Sequence, residues 1–307
     1  MKLLLVQTRS GIGDIILAGL PYIHALSKKF NCKLNLLVKE SSRASDLFSE
    51  DEHIDEIIAL EKDMDGVKGI FKLSKELKKR NFDKIFIFNS SLRYNIVARL
   101  AGIKSIYQYP LFRRKDNIVH SAKIFCESIT NEIVSTEPNL IFKKKDNNLD
   151  KSFKHICLGV SASGPTKRWD INNYIRLAEE ITKKIKCKFY IAGGKKDIDL
   201  INEFKKSNVG KDSLSFEAMS IKESLQHIAD CDLYIGNDTG FAHISVALKV
   251  KALTVFCDSP VAYSTHSSKM VTVEPEGIEK GKTTHDTLGK DKVSFNKVLS
   301  EALKLLN

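Results

Sequence analysis

Residues 233–243, with the sequence LYIGNDTGFAH, combine residue types and spacing that suit phosphate binding. An apolar stretch typical of a buried strand ends here, and an Asp-Thr-Gly turn leads into a helical pattern. The first N–H groups of such a helix, together with its dipole, favour an anion. Gly240 lets a ligand approach the backbone, and the Thr239 hydroxyl adds a donor. The alternative is that Asp238 only caps the helix and Gly240 only permits a tight turn.

Residues 161–170, with the sequence SASGPTKRWD, follow a second apolar stretch at 155–160. Small residues, hydroxyls and two adjacent cations directly after a strand suit a diphosphate. Lys167 would place a point charge against the oxygens of a leaving diphosphate. The alternative is an exposed basic loop. Trp169, the only tryptophan in the chain, is expected to pack against the helix that follows.

Residues 9–14, with the sequence RSGIGD, follow the apolar stretch Leu3–Val6. The turn lacks the third glycine of the dinucleotide-binding pattern GxGxxG, because that position is Ile16, and so it does not favour a nicotinamide cofactor. Asp14 would instead lie at the mouth of the first strand, where its carboxylate could take a proton from an acceptor hydroxyl as a general base. The alternative is that Asp14 caps the first helix.

Strands and helices alternate along the chain and would position these three segments. Continuous apolar strands separated by helices of about ten residues or more are typical of parallel sheets covered on both faces. We predict strands at residues 3–6, 33–38, 56–59, 84–88, 155–160, 188–192, 214–216, 232–236 and 252–256. We predict helices from the first glycine turn to residue 30 and at residues 67–80, 94–100, 171–185, 198–206, 221–229, 241–248 and 295–306.

A polar and charged segment at residues 138–153 interrupts this alternation and predicts a linker. The chain of 307 residues is long enough for two α/β domains of about 150 residues each. We therefore expect an α/β fold of two Rossmann-like parallel-sheet domains, residues 1–150 and 151–307, facing an interdomain cleft. Ligands would bind in that cleft, beyond the carboxyl ends of the strands.

The composition argues against several classes of protein and of binding partner. The net charge of +11 favours anionic partners, but the sequence has no aromatic-interleaved basic stripe, zinc knuckle or RNA-binding motif, so we do not expect nucleic acid. The six cysteines form no CxxC pair and several lie in apolar stretches, which predicts neither disulfides nor a metal site. With no apolar run of about 18–20 residues and no signal peptide, the sequence predicts a cytoplasmic protein.

The turn at residues 13–14, the step Lys-Arg-Trp at 167–169 and residues 238–243 resemble glycosyltransferase family 9, whose best-known members are the heptosyltransferases of lipopolysaccharide core assembly. The resemblance covers most of the chain, and residues 238–243 are its most specific motif. It implies a GT-B architecture, an inverting transfer and no obligatory metal or other cofactor. It also implies a nucleotide-sugar donor, ADP-heptose, and an anionic glycolipid acceptor at the inner leaflet, reached by peripheral membrane contact.

The resemblance also assigns roles to individual residues. Asp14 would be the general base, Lys167 the second catalytic residue, and Met219 and Asp197 would lie near the base and the ribose hydroxyls. Donor- and nucleotide-binding positions are Ser163, Lys167, Asp197, Met219, Asp238, Thr239, Gly240 and His243. The positive charge of Arg43, Arg93, Arg113 and Arg114, and not the resemblance, suggests contact with carboxylates or phosphates of an anionic acceptor. With Gly13, these are the expected acceptor-binding positions. The basic run at 113–115 equally suits a solvated surface.

Departures from the family pattern and competing functions leave alternatives open. The chain has one residue more than the pattern between Asp14 and Pro21, and the polar residues 89–91 differ from those common in the family. One alternative is transfer of another sugar from a different nucleotide, and a second is a non-catalytic sugar-nucleotide-binding homologue. A nucleotide-sugar epimerase would need carboxylates on both sides of the anomeric centre, and the sequence offers no convincing second candidate beyond Asp14.

Overall fold

The computed structural model describes residues 1–111, 117–147 and 149–307. The predicted acceptor residues Arg113 and Arg114 therefore lie outside the described residues. Within the described ranges, no helix has both the length and the apolar character needed to cross a membrane.

The chain divides into two compact units, and the first, Met1–Phe142, contains one parallel sheet. Its strands are β1 (Leu3–Gln7), β2 (Leu34–Val38), β3 (Ile54–Ala59), β4 (Lys84–Ile87) and β5 (Ser105–Gln108). Its helices are α1 (Ile12–Leu17), α2 (Leu20–Phe30), α3 (Ala44–Leu47), α4 (Ile70–Arg80), α5 (Leu92–Leu100) and α6 (Ile118–Thr130). The strand order is β3-β2-β1-β4-β5, and every pairing is parallel.

The second unit, Lys143–Asn307, contains a second parallel sheet. Its strands are β6 (Lys154–Gly159), β7 (Cys187–Ala192), β8 (Leu214–Ser215), β9 (Leu233–Asn237), β10 (Lys251–Val255) and β11 (Met270–Val273). Its helices are α7 (Ile171–Thr182), α8 (Ile198–Lys206), α9 (Ile221–Ala229), α10 (Gly240–Ala247) and α11 (Phe295–Leu306). The strand order is β11-β10-β9-β6-β7-β8.

Each sheet is covered on both faces, as continuous apolar strands require. On β1, Leu4 and Val6 pack into a core with Leu73 and Leu77 of α4 and other apolar side chains. The alternate β1 residues point to the opposite face and are equally buried. On β6, residues 156–158 are fully buried in the same way. Both strand orders are those of a Rossmann fold, so the prediction of two Rossmann-like parallel-sheet domains is confirmed.

The reversal of strand order creates a crevice at one point in each sheet, between the first and fourth strands of the unit. In the first unit this point lies between β1 and β4, and in the second it lies between β6 and β9. The loops that leave the carboxyl ends of these strands begin at residues 8, 88, 160 and 238. Ligands of open α/β sheets bind at such points, so these four loops are where a site is expected.

The single helix predicted from the first glycine turn to residue 30 is wrong, because the chain forms α1 and α2 with a break at Ala18 and Gly19. Pro21 has no N–H to donate to the carbonyl of Leu17, so a continuous helix would lose a hydrogen bond there. A Cβ at Gly19 would overlap the Ile15 carbonyl oxygen. The buried Gln7 amide donates a hydrogen bond from Nε2 to the Ala18 carbonyl at 3.1 Å and so caps the C-terminal end of α1.

Four of these elements were not predicted, namely β5, β11, α6 and the one-turn helix α3. The strands β5 and β11 lie at the edges of their sheets and have only four residues each. All four residues of β5 and the two central residues of β11 are half-buried, and neither strand is a continuous apolar run. Helix α6 packs against α2 with an apolar face of mixed residue types. The boundary between the two units follows Phe142, within the segment predicted as a linker.

Candidate functional site

Asn237, the last residue of β9, joins the two loops at the strand-order reversal of the second unit. Its side chain is fully buried. Oδ1 accepts a hydrogen bond from the Trp169 N–H at 2.9 Å, and Nδ2 donates to the carbonyls of Val160 at 3.2 Å and Ser161 at 3.0 Å. The loop that follows β6 is therefore fixed against the end of β9.

The close approach of β6 and β9 depends on Gly159 and Gly236, which are register partners. A Cβ at Gly159 would overlap the Tyr234 hydroxyl, and one at Gly236 would lie 2.6 Å from it. That hydroxyl donates to the Asn237 carbonyl at 3.0 Å and lies 3.4 Å from Thr239 Oγ1. The two glycines thus admit a buried tyrosine that holds the backbone directly before α10.

The N-terminus of α10 is open, as the phosphate-binding prediction requires. Its N-cap is Thr239, not Asp238, and among the described residues the Thr239 side chain accepts no capping hydrogen bond. The N–H groups of Gly240 and Phe241 begin the helix and have no carbonyl one turn earlier within it. Because this helix has eight residues and follows β9, its dipole and N–H groups are directed at the reversal point.

His243 is a buried residue of α10 that contacts Asp238 instead of opening to solvent. Its Nε2 lies 3.4 Å from Asp238 Oδ1, and its Nδ1 lies 3.3 Å from His266 Nε2. His266 in turn has Nδ1 at 2.8 Å from the Tyr263 carbonyl. The histidine pair therefore holds the Asp238 carboxylate beside the start of α10, which leaves the cap position to Thr239.

Lys167 ends a short 3₁₀ turn, Pro165–Lys167, in the loop after β6. The turn is anchored because the Thr166 hydroxyl donates to Asp258 Oδ2 at 2.6 Å, while Asp258 Oδ1 accepts from the Leu288 N–H at 2.9 Å. Burial alone would raise the pKa of Asp258. The two hydrogen bonds and the nearby Lys167 charge outweigh it, and the pKa lies below its ordinary value. An ionised Asp258 therefore stabilises the turn that presents Lys167.

Asp197 and Met219 follow the next two strands along the sheet, β7 and β8. Asp197 accepts a hydrogen bond from the Gly194 N–H at 2.9 Å and pairs with Arg168 at 3.1 Å, which ties this loop to the one after β6. The half-buried Met219 donates its N–H to the Phe216 carbonyl at 2.9 Å, and the Phe216 ring lies 6.2 Å from that of Phe241.

The structure thus places every predicted donor-binding residue in a loop that follows a carboxyl end of β6, β7, β8 or β9, or in the first turns after it. Sequence reasoning gave no role to Asn237, Tyr234 or Asp258. Asn237 stood inside the motif at 233–243, directly after the predicted strand at 232–236, and Asp258 follows the end of β10. A position at or just beyond the end of a strand was therefore a usable signal for both. The predicted packing of Trp169 is confirmed, since its ring meets Tyr174 of α7 edge-on at 5.1 Å.

In the first unit, Asp14 is the third residue of α1, in the loop region after β1. Its Oδ2 accepts a hydrogen bond from the Gly11 N–H at 3.2 Å, and the side chain is half-buried. Across the reversal point, Asn89 follows β4 and donates from Nδ2 to Thr8 Oγ1 at 2.9 Å. Asp14 lies beyond the carboxyl end of β1, and the break between α1 and α2 follows it in the chain.

The two described arginines among the predicted acceptor residues each have a carboxylate partner. Arg93 pairs with Asp65 at 2.7 Å, contacts the Met64 carbonyl and is only 11% exposed. Arg43 bonds from Nε to Asp46 Oδ2 at 2.8 Å and is half exposed. Of the two, Arg43 offers the larger surface to a ligand.

Comparison with known proteins assigns this chain to one family. Residues 118–287, more than half of the chain, match glycosyltransferase family 9 (heptosyltransferase). Lipooligosaccharide heptosyltransferase 2 of Campylobacter jejuni is 28% identical over 257 residues, which cover 80% of this chain and 78% of that protein.

Solved structures extend the similarity to the whole chain. ADP-heptose LPS heptosyltransferase II of E. coli matches with a TM-score of 0.73 at 18% identity, covering 100% of this chain and 98% of that one. The E. coli heptosyltransferase WaaC, solved with ADP-2-deoxy-2-fluoro heptose, matches with a TM-score of 0.71 at 13% identity and 99% coverage of both chains. The predicted GT-B-like fold is confirmed by these matches.

Proposed function

The chain belongs to glycosyltransferase family 9 and is a glycosyltransferase, and from this premise we propose that it transfers a heptose from ADP-heptose to a lipopolysaccharide core sugar with inversion at the anomeric carbon. The observation that carries the proposal is the pair of loops after β6 and β9, which Asn237 holds together. One loop presents a lysine and the other an open helix N-terminus, and both suit a diphosphate.

The donor diphosphate would bind between these two loops. The N–H groups of Thr239 and Gly240 would donate to its oxygens, the Ser163 hydroxyl would add a donor, and Lys167 would balance the charge that develops as the diphosphate leaves. Asp238, held by His243, would complete the wall of the site. The proposed arrangement calls on no metal, because Lys167 and the helix dipole would supply positive charge to the leaving group.

The nucleoside would extend along the carboxyl ends of β7 and β8. Asp197 would accept hydrogen bonds from the ribose hydroxyls, since a carboxylate that already bonds Gly194 and Arg168 retains lone pairs for further donors. Met219 would contact the base. Its polarisable thioether suits the face of a purine, and its backbone is held by the hydrogen bond to the Phe216 carbonyl.

Asp14 would act as the general base on the acceptor hydroxyl. Inversion requires the acceptor oxygen to attack the anomeric carbon from the face opposite the departing diphosphate, so the base must act on the acceptor side. In the transfer, the new bond forms between the acceptor oxygen and the anomeric carbon, the bond to the diphosphate breaks, and the acceptor proton passes to Asp14.

The acceptor would be an anionic glycolipid core at the cytoplasmic face of the inner membrane. C. jejuni lipooligosaccharide heptosyltransferase 2, a relative by sequence, supports an acceptor of this class. Gly13, Arg43, Arg93, Arg113 and Arg114 are the proposed acceptor contacts. The net charge of +11 would favour peripheral attachment to anionic lipid.

The proposal is tested by separating donor binding from transfer in Asp14→Asn. We expect this variant to bind ADP like the wild type and to lose at least about 100-fold in kcat, as the removal of a general base requires. Calorimetric titration with ADP and a transfer assay with ADP-heptose and a core acceptor measure the two quantities.

Asp55→Asn is the matched control, because Asp55 is an exposed carboxylate of β3 in the same unit. Full transfer by Asp14→Asn would remove Asp14 from the mechanism. Binding of a different nucleoside diphosphate in place of ADP would keep the glycosyltransferase and replace the donor.

A further inference from the structure

Two histidines converge on one buried carboxylate in the first unit, away from the candidate transferase site. His24 lies on α2, and Asp51 and His53 lie in the segment that leads into β3. His24 Nε2 is 2.8 Å from Asp51 Oδ2, and the two imidazole rings lie 4.6 Å apart. One ligand atom from each of the three residues lies within 4.8 Å of the others.

We propose that His24, Asp51 and His53 form a binding site for a divalent transition-metal ion of the Zn²⁺ class. Two imidazole nitrogens and one carboxylate oxygen are a ligand set that suits such ions, with a remaining position for water. The Asp51 side chain is fully buried and the His24 side chain is 18% exposed. A buried carboxylate needs a positive partner. A metal ion bound by all three side chains would supply that positive charge to Asp51.

A hydrogen bond alone accounts for only part of this arrangement. It explains why His24 faces Asp51, but it leaves unexplained why a second imidazole faces the same carboxylate. The orientation of His53 is fixed from outside the cluster, since its Nδ1 lies 3.0 Å from Ser27 Oγ. With Nδ1 engaged, Nε2 is the nitrogen left for a metal, and metal-binding histidines commonly have such a partner on the other nitrogen.

The carboxylate is oriented in the same manner. The backbone N–H of His53 donates to Asp51 Oδ1 at 3.0 Å, which leaves Oδ2, the oxygen next to His24, for the ion. The His53 carbonyl accepts a hydrogen bond from the Leu34 N–H at 2.9 Å, so the segment is also anchored to the start of β2. The ligands are therefore held by the fold before any ion binds, which lowers the cost of binding.

The two histidines line a groove that reaches solvent, and the site is distant in the fold from Asp14. A groove of the first unit is lined by His24 and His53 together with Cys32 and Glu52, and it gives an ion a path to the ligands. His53 precedes the amino end of β3, whereas Asp14 follows the carboxyl end of β1, and in a parallel sheet these are opposite edges. The ion would thus join α2 to the β2–β3 edge and stabilise the unit, without a part in transfer.

The full chain, freed of any polyhistidine tag and of metal, tests this inference by titration with Co²⁺, whose visible absorption reports low-coordinate nitrogen and oxygen ligands. We expect one Co²⁺ per chain, displaced by Zn²⁺, and a rise in the midpoint of thermal unfolding with Zn²⁺. His53→Gln and His24→Gln should each weaken Co²⁺ binding by more than about tenfold, the loss typical of removing even an outer partner of a ligand.

His120→Gln is the matched control, because His120 is an exposed histidine of α6 in the same unit. It should bind Co²⁺ like the wild type. Absence of Co²⁺ absorption in the wild type would overturn the proposal without reference to any variant. Equal binding by His24→Gln, His53→Gln and the wild type would assign the ion to other groups and would also overturn it. Circular dichroism of each metal-free variant separates a lost site from a lost fold.

Discussion

Asn237 makes three hydrogen bonds with backbone atoms of the loop that carries Lys167, and no apolar residue of its size could replace them. Trp169, Val160 and the amide itself are close to fully buried, and Ser161 is half-buried. Each buried backbone group that loses its partner destabilises the folded state by about 1–3 kcal/mol, so we expect a large loss of stability when this side chain is replaced. Its effect on the proposed reaction would be indirect, since it positions the loop and contacts no reacting atom in the proposed mechanism.

Asn237→Leu is expected to lower the free energy of unfolding by about 3 kcal/mol or more, because the Trp169 N–H and two carbonyls are left without partners. The affinity for ADP should fall as well, since the loop after β6 is no longer fixed. Urea unfolding and calorimetry measure the two effects. Asn172→Ala, an exposed asparagine of α7, should change neither. Unchanged stability in Asn237→Leu would mean that the loop holds its position by other contacts.

At the scale of elements, the decisive contact is the one between β6 and β9. The two strands pair in register at Gly159 and Gly236, and the Tyr234 hydroxyl occupies the space that side chains at these positions would fill. The strands end at the two loops of the proposed diphosphate site. Any displacement of one strand against the other therefore changes the separation between Lys167 and the start of α10.

Gly159→Ala is expected to lower the free energy of unfolding by about 3 kcal/mol, the upper range for an overpacked core, because the new methyl group overlaps the Tyr234 ring and hydroxyl. We expect weaker ADP binding together with the loss of stability. Thermal or urea unfolding checks the first effect and calorimetry the second. Gly164→Ala provides the comparison for stability, since its Cβ would meet nothing within 4 Å. Equal stability of the two variants would contradict the close-packing argument.

Local signals in the sequence were sufficient for some elements and not for others. The bounds of α8, α9 and α11 agree with the prediction at both ends, and the Ser220 capping box that opens α9 is present in the structure. The break between α1 and α2 was missed because it depends on a close backbone approach at Gly19, which leaves no room for a side chain, and on a hydrogen bond from the buried Gln7 amide. Asn237 was missed for a related reason, since its partners lie 68 to 77 residues away in the chain.

At the scale of the molecule, each unit has its own sheet and its own hydrophobic core. One core cluster lies entirely within Met1–Phe142 and the other within Lys143–Asn307. The proposed donor site belongs to the second unit, and the proposed base belongs to the first. A division of labour between the units is therefore expected, in which each binds its own substrate.

A fragment comprising residues 143–307 is expected to fold and to bind ADP with the affinity of the full chain, but to show no transfer, because Asp14 is absent. Cooperative thermal unfolding and calorimetry with ADP and UDP measure folding and binding. The same fragment with Lys167→Ala should fold and bind ADP less tightly. A folded fragment that binds no nucleotide would show that the donor site needs residues of the first unit.

The strand order of the second sheet also has a consequence for how the protein is made. Of the strands in this sheet, β6, β7 and β8 leave the ribosome first. Strand β7 pairs with one side of β6, and β8 pairs with β7. The other side of β6 gains its partner only when β9 emerges, more than seventy residues after β6 begins. During that interval a strand destined for the centre of the sheet is an unprotected edge, the kind of surface on which nascent chains associate. Substitutions that slow the arrival or docking of β9 should therefore reduce the yield of folded protein even where the finished molecule tolerates them.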